Sequence, residues 1–155
     1  MTSHTLFSRR AALVLAAAAL ALPARAADRP PMRVHKDPNC GCCNGWITHL
    51  EQAGFAVAAY ETSRISAVKT RLGVPPELAS CHTAEIGDYV IEGHVPAAAI
   101  DRLLAERPQA KGLAVPGMPA GSPGMEGSEP EIYEVMLFGP AGTRSFGRYK
   151  GAQAI

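Results

Sequence analysis

Three of the four cysteines of this chain lie within four residues, as Cys40, Cys42 and Cys43. Neighbouring thiols share one small volume, whereas a stabilising disulfide gains most when it closes a long loop. The cluster therefore indicates soft-metal capture or thiol exchange rather than a structural staple. The fourth cysteine, Cys81, is followed directly by a histidine, His82.

The spacing of the cluster is compatible with two chemistries. Cys40 and Cys43 have the Cys-x-x-Cys spacing of thiol oxidoreductases, and Cys40 with Cys42 forms a Cys-x-Cys pair that can chelate a metal. A third thiol beside an exchange pair promotes scrambling, whereas three thiolates suit a low-coordinate Cu(I) ion. We therefore expect copper, as Cu(I) or as Cu(I) cycling with Cu(II), on the cluster. Zinc is the less favoured occupant, because it needs a fourth tetrahedral ligand, which Cys81 would complete.

Two alternatives remain open on the sequence. Cys40 and Cys43 form the reactive pair of a thiol-disulfide oxidoreductase in the first, and all four cysteines pair as two structural disulfides in the second. The adjacency of Cys42 and Cys43 argues against the second. A thiol on the first turn of a helix has a lowered pKa, because unpaired backbone N–H groups favour its thiolate. We therefore expect a reactive thiol at Cys40 or Cys43.

Histidines and methionines supply further candidate ligands. His82 is the best placed of them, since it adjoins the fourth cysteine. His49 lies seven residues after Cys42, on the same helix face but about 10 Å farther along the axis. For His35, a surface position on a strand is expected as much as a position near the thiols. For His94, a role in capping the helix that follows is expected. The complete set of lower-ranked candidates is His82, His49, His35, His94, Met118 and Met125.

The first 26 residues have the pattern of an export signal. Arg9 and Arg10 precede an uncharged run over residues 11–22, and small residues follow at a signal-peptidase type of site. The run is shorter than the roughly 20 residues that span a bilayer as a helix. We expect residues 1–26 to be a cleaved signal peptide, with residues 27–155 exported to the periplasm. The arginine pair also resembles a twin-arginine signal, but Ala11 and Ala12 stand where that signal prefers a bulky apolar residue, so the general secretory route is favoured.

The charge balance gives no reason to expect binding to nucleic acid or to a membrane. The whole chain has 15 basic and 14 acidic residues. Without the three arginines of the predicted leader, the remaining domain has a net charge of about −2. A chain of this length forms one hydrophobic core without obligatory disulfides.

Periodicity and turn residues predict alternating strands and helices. Glycine marks the ends of two helices, and Gly87-Asp88 is a hairpin turn. The predicted segments are strand 32–36, helix 42–53, strand 55–60, a helix to Leu72, hairpin 84–92, helix 96–106, loop 107–130, and strands 132–138 and 143–149.

This order predicts an α/β fold, a thioredoxin-like sandwich. The hairpin and helix, about residues 81–106, are expected as an insertion before the last antiparallel strand pair. A proline loop faces the cysteine turn in thioredoxin-like folds, and residues 116–119 take its place here. Met118 is therefore expected to approach the thiols.

Several separated segments together resemble one protein family. The chain is similar to the exported CxCC metal-binding proteins, a domain of unknown function whose copper-resistance members are called CopG. The resemblance covers essentially all of residues 27–155. It implies a thioredoxin-like fold, a copper site of one or several ions on the four cysteines, and periplasmic copper-handling proteins as partners. The segments that carry it are 37–43, Trp46, His49-Leu50, 80–84, 92–96, 112–119 and 121–126.

Overall fold

The computed structural model of the protein describes residues 29–155, so the predicted leader, residues 1–26, lies outside the described residues. The described part is a mixed α/β fold with one eight-stranded sheet and three α-helices. No helix in this part is long and apolar enough to cross a bilayer. The elements are β1 (Met32–Lys36), α1 (Gly41–Gln52), β2 (Val57–Glu61), α2 (Ile65–Leu72), a 3-10 turn (Pro76–Leu78), β3 (His82–Ile86), β4 (Tyr89–Glu92), α3 (Ala97–Glu106), β5 (Gly112–Ala114), β6 (Ile132–Gly139), β7 (Gly142–Lys150) and β8 (Gln153–Ala154).

The sheet combines parallel and antiparallel neighbours in the order β2-β1-β3-β4-β5-β6-β7-β8. β1 is parallel to β2, and β4 is parallel to β5. The other neighbours are antiparallel. Both parallel pairs are joined through a helix, α1 or α3, as parallel connections require.

Helices cover both faces of the sheet. Successive side chains of a strand point to opposite faces, so β4 sends Ile91 to one hydrophobic cluster and Val90 to the other. The larger cluster packs the sheet against α1 and α3, through residues such as Trp46 and Ile100. The smaller cluster includes Leu72 at the end of α2.

The strand registers bring several chain segments to one end of the sheet. Lys36, the last residue of β1, pairs with His82, the first residue of β3. The cysteine turn after β1 and Cys81 before β3 therefore leave the sheet side by side. Thr83 pairs with Glu92 at the end of β4, and Glu92 pairs with the last residue of β5. The segments after β4 and β5 consequently start at the same end.

Most predicted elements are present, with two departures. The hairpin and helix expected as an insertion, residues 81–106, hold a central place in the sheet, because β3 pairs directly with β1. The last pair, β6 and β7, lies toward the edge opposite β2. Residues 107–130 were predicted to be a continuous loop, which is wrong, since β5 lies within them. β5 begins at Gly112, where an added Cβ would meet the Val90 carbonyl oxygen. The close approach to β4 therefore requires a glycine, a residue that does not favour strand in the sequence.

Candidate metal centre

The four cysteines meet at the amino-terminal end of α1. Cys40 is the N-cap residue of α1, and Cys42 and Cys43 lie on its first turn. Cys81 approaches from the segment before β3. The Cys42 sulfur lies 3.5 Å from the Cys40 sulfur and 3.7 Å from the Cys81 sulfur. All four sulfur atoms lie within 4.8 Å of one another. The structure thus brings together the four residues that the sequence singled out.

Two of the four cysteines are joined in a disulfide. Cys40 and Cys43 are bonded, with their Cα atoms 5.4 Å apart, while Cys42 and Cys81 are free. The bond joins the pair with the Cys-x-x-Cys spacing and closes only one turn, so it is not a long-loop staple. A site with four thiolates therefore exists only after this disulfide is reduced. The predicted lowering of the Cys40 or Cys43 pKa concerns that reduced form, since disulfide sulfur does not titrate.

Cys81 is in an environment that keeps its thiol protonated. Burial raises the pKa of the Cys81 thiol to about 12, and the neighbouring Cys42 sulfur adds to the increase. A bound cation supplies the opposite effect, because a metal ion favours the thiolate that coordinates it. Binding of metal at Cys81 therefore releases a proton at neutral pH.

Two buried imidazoles adjoin Cys81 and form a second group of candidate ligands. The Cys81 sulfur lies 3.2 Å from His82 Nδ1 and 3.1 Å from His94 Nε2. Neither ring has any exposed surface. Burial lowers the pKa of His82 well below its ordinary value, helped by His94 and Lys69, and burial also lowers the pKa of His94. Both rings are therefore neutral near pH 7, which is the form that binds metal.

Each imidazole has a feature that suits metal coordination. His94 Nδ1 lies 2.8 Å from the Pro123 carbonyl oxygen, so Nδ1 carries the proton and the Nε2 lone pair faces Cys81. His82 Nε2 is a buried nitrogen with no hydrogen-bond partner among the described residues. The ring nitrogen beside the Cys81 sulfur is the other one, Nδ1, so Nδ1 is the atom through which His82 would join that group. Cys81, His82 and His94 have ligand atoms within 4.8 Å of one another.

His94 does not have the helix-capping role that was predicted for it. It is not an α3 cap, because the first N–H of α3, at Ala97, donates to His49 Nε2 at 3.1 Å instead. The acceptor for His94 is a backbone carbonyl 29 residues away in sequence. A backbone acceptor in a proline-rich loop leaves no side-chain signal by which sequence alone would identify it.

The remaining candidates have positions apart from this group. His49 caps α3, as described above. His35 Nε2 lies 3.0 Å from Glu85 Oε1, and its ring stacks on Tyr60. Met118 is 53% exposed in the loop after β5. That loop is tied to the cysteine segment, because the Ser80 hydroxyl donates to the Gly117 carbonyl at 2.5 Å. Coordination by either methionine, Met118 or Met125, stays a prediction.

Trp46 lies on the inner side of the centre. Its indole is fully buried and lies against the His82 ring, with ring centroids 4.2 Å apart. The indole N–H donates to the Val95 carbonyl at 2.8 Å, which fixes the ring. The loop of residues 121–125 packs on the same helix turn, where a Cβ on Gly45 would lie 2.9 Å from Gly124 Cα. The Trp46 ring and this loop therefore pack next to the residues that carry the candidate ligands.

The ligand set is soft. Four sulfur atoms and two neutral imidazoles within one small volume favour Cu(I) over hard cations, which need oxygen ligands. The number of ligand atoms exceeds what one low-coordinate Cu(I) ion takes. Cys81 belongs to both groups.

Comparisons with known proteins agree with this site. The family model described as "Protein of unknown function, DUF411" matches residues 78–125, which include Cys81, His82 and His94. Two solved structures are similar to the chain. "Copper resistance protein copG", form 1, is 47% identical, with a TM-score of 0.74, and the match covers 80% of this chain and 100% of that one. Form 2 is 48% identical, with a TM-score of 0.73, covering 77% and 98%.

No curated protein matches the chain. The similarity to the two solved structures nevertheless spans nearly all of the described residues at an identity that indicates common descent. The chain belongs to the CopG-type copper resistance family.

Proposed function

We propose that the protein binds Cu(I) on Cys40, Cys42, Cys43 and Cys81, with His82 and His94 as further ligands, and so protects the cell envelope from copper. The observation that carries this proposal is the convergence of the four sulfur atoms within 4.8 Å of one another. The solved relatives are described as copper resistance proteins, and they share 47% and 48% of their sequence with this chain. Two ligand groups that share Cys81 favour a multinuclear site.

The proposed location is the periplasm. Its support is the leader-like pattern of residues 1–26, in which an arginine pair is followed by an uncharged run and then by small residues. Periplasmic proteins that deliver or receive copper are the proposed partners. The proposed fold class is thioredoxin-like. Its support is the βαβ start, with the cysteine turn between β1 and α1, followed by the antiparallel pair β3–β4 and helix α3.

A second function is favoured by one observation, the disulfide between Cys40 and Cys43. A Cys-x-x-Cys disulfide at the start of a helix is the oxidised form of a thiol-exchange pair. In the second proposal, the Cys40–Cys43 disulfide accepts electrons from the thiols of other envelope proteins, or the reduced pair passes electrons to their disulfides. Both functions use the same sulfur atoms, because reduction of the disulfide also creates two of the four proposed copper ligands.

Ligand dependence tests the first proposal. Reduced protein is titrated anaerobically with Cu(I) against a competing chelator, for the wild type and for the variants Cys42→Ser and Cys81→Ser. One shared site predicts that both variants weaken binding to a similar degree, although Cys81 is remote in sequence. Circular dichroism confirms that each variant is folded. An unaltered affinity and stoichiometry in Cys81→Ser would exclude Cys81 from the site.

Metal choice separates copper binding from a structural zinc site. With equal Cu(I) and Zn(II), we expect copper to remain bound, because soft thiolates at low coordination favour it. X-ray absorption at both metal edges measures the occupancy and the ligand type. Retention of a single zinc with four sulfur ligands would overturn the copper proposal.

A further inference from the structure

A buried carboxylate lies behind the cysteine centre, at the end of β4. Glu92 has no exposed surface, which is rare for a glutamate that is not paired. Its Oε1 accepts from the Lys69 ammonium at 2.5 Å and from the Ser80 backbone N–H at 2.6 Å. Its Oε2 accepts from the Thr83 hydroxyl at 2.6 Å. The carboxylate is thus satisfied by three donors, one from α2 and two from the segment of residues 80–83.

The three donors define what the carboxylate holds. Ser80 immediately precedes Cys81, and Thr83 immediately follows His82. One carboxylate therefore fixes both ends of the segment that supplies these two candidate ligands. Lys69, from α2, closes the network by also donating to the Thr83 hydroxyl at 3.0 Å.

The backbone that follows Glu92 is fitted to the same segment. Gly93 has a φ of 72°, and its N–H donates to the His82 carbonyl at 3.1 Å. A Cβ at Gly93 would lie 2.6 Å from the Ser80 Cβ, so only glycine permits this approach. His94 follows directly. The turn after β4 and the segment before β3 are consequently locked together around the Cys81 sulfur.

We propose that Glu92 is a positioning residue of the copper site, which holds Cys81 and His82 against Cys42 and His94 through the Ser80 N–H and the Thr83 hydroxyl. Glu92 itself makes no recorded hydrogen bond to a sulfur or an imidazole among the described residues. It therefore acts through the segment rather than as a ligand. This inference rests on the proposed copper function, and it adds a residue that the ligand chemistry alone does not identify.

Glu92→Gln tests the proposal, with Glu85→Gln as the matched control. Both glutamates lie on the β3–β4 hairpin and both are ion-paired, but Glu85 pairs with Arg33, His35 and Arg71 at the surface. We expect Glu92→Gln to weaken Cu(I) binding about tenfold, since supporting contacts of metal ligands are worth about 10–100-fold in affinity. Glu85→Gln should leave the affinity unchanged. Equal affinities of wild type and folded Glu92→Gln would overturn the proposal.

A double-mutant cycle separates positioning from general stabilisation. In a Cys81→Ser background the segment no longer carries its sulfur ligand, so Glu92→Gln should weaken Cu(I) binding much less than it does with Cys81 present. The same tenfold loss in both backgrounds would overturn the claim that Glu92 positions Cys81. If Glu92→Gln fails to fold, Thr83→Val replaces it, because valine removes the hydroxyl donor while keeping the shape. We then expect a smaller loss of affinity that again depends on Cys81.

A metal-free measurement keeps this proposal distinct from the copper proposal. In a Cys40→Ser, Cys43→Ser background, the oxidant diamide joins Cys42 and Cys81, whose sulfur atoms lie 3.7 Å apart. Glu92→Gln should slow this reaction relative to Glu85→Gln, because Cys81 is no longer held beside Cys42. Equal rates would overturn the positioning role even if copper binds. Failure of the wild type to bind Cu(I) would instead overturn the proposed function and leave this result standing.

Discussion

Cys81 connects the two ligand groups of the centre. Its sulfur lies within 3.7 Å of the Cys42 sulfur on one side and close to both imidazoles on the other. The other members of one group are the cysteines at the start of α1, which offer sulfur, and those of the other group are His82 and His94, which offer nitrogen. Because the Pro123 carbonyl sets the His94 tautomer, the nitrogen that faces Cys81, Nε2, keeps a free lone pair.

The buried imidazoles predict a pH dependence of folding for the metal-free protein. Burial lowers the pKa of both His82 and His94 in the folded state, so below the unfolded value of about 6.5 the unfolded chain takes up protons that the folded protein does not. The free energy of unfolding should therefore decrease as the pH falls from 7.5 to 5. Urea unfolding at a series of pH values measures this slope.

His82→Leu provides the comparison, since leucine fills the site without titrating. The variant should show a shallower decrease over the same pH range, whatever its stability at pH 7.5. An identical slope in wild type and variant would mean that His82 is not the group that resists protonation.

At the scale of elements, the sequence predicted what local patterns determine. The apolar spacing of α1 and its end before Gly54, which has a φ of 85°, depend on nearby residues, and both predictions are correct. The strand β5 was missed because three residues carry no periodicity, and its pairing with β4 and β6 is non-local. The contacts of His94 could not be predicted because they join segments that are distant in sequence. The state of the Cys40–Cys43 pair could not be predicted because it depends on redox conditions.

The loop of residues 121–125 is held against α1 by close glycine contacts, which predicts a position-specific effect of alanine. A Cβ on Gly124 would lie 2.6 Å from the Cys42 carbonyl oxygen and 2.6 Å from the Trp46 backbone nitrogen. Gly124→Ala should therefore displace the loop from α1 and withdraw the adjoining Pro123 carbonyl from His94. We expect a loss of about 1–3 kcal/mol in the free energy of unfolding, the range typical of overpacking, together with weaker Cu(I) binding.

Gly127→Ala is the matched control for Gly124→Ala. Gly127 also has a positive φ, but no atom lies within 4 Å of a Cβ built there. The backbone strain is therefore common to both variants, and only the steric contact differs. Urea unfolding and Cu(I) competition measure the two effects. Equal losses in both variants would show that the contact with α1 does not hold the loop.

In the whole molecule, both proposed functions belong to one end of one sheet. The registers of β1, β3, β4 and β5 deliver the cysteine turn, Cys81, His94 and the loop after β5 to that end. The sulfur atoms form a continuous series there, from the Cys43–Cys40 disulfide through Cys42 to Cys81. The two candidate functions therefore compete for the same groups, and the redox state decides how many sulfur ligands are available.

This competition predicts that copper and thiol chemistry exclude each other. Reduced, metal-free protein should react with an alkylating probe at the helix-start cysteines and should reduce insulin. Saturating Cu(I) should suppress alkylation and insulin reduction in parallel, because it occupies the same thiolates. Cu(I) at 100 times its dissociation constant should also raise the free energy of unfolding of the reduced protein by about 2.7 kcal/mol. The oxidised protein should gain less at the same copper concentration, since Cys40 and Cys43 are bonded to each other.

Cys42→Ser is the informative variant for this prediction. It retains the Cys40–Cys43 pair but removes the sulfur that lies between that pair and Cys81. Insulin reduction should persist in this variant. Copper should suppress that reduction only weakly, because the chelating Cys-x-Cys pair is gone. If the wild type still reduces insulin at full copper occupancy, measured on the same sample, the two functions use different groups and a single shared site is excluded.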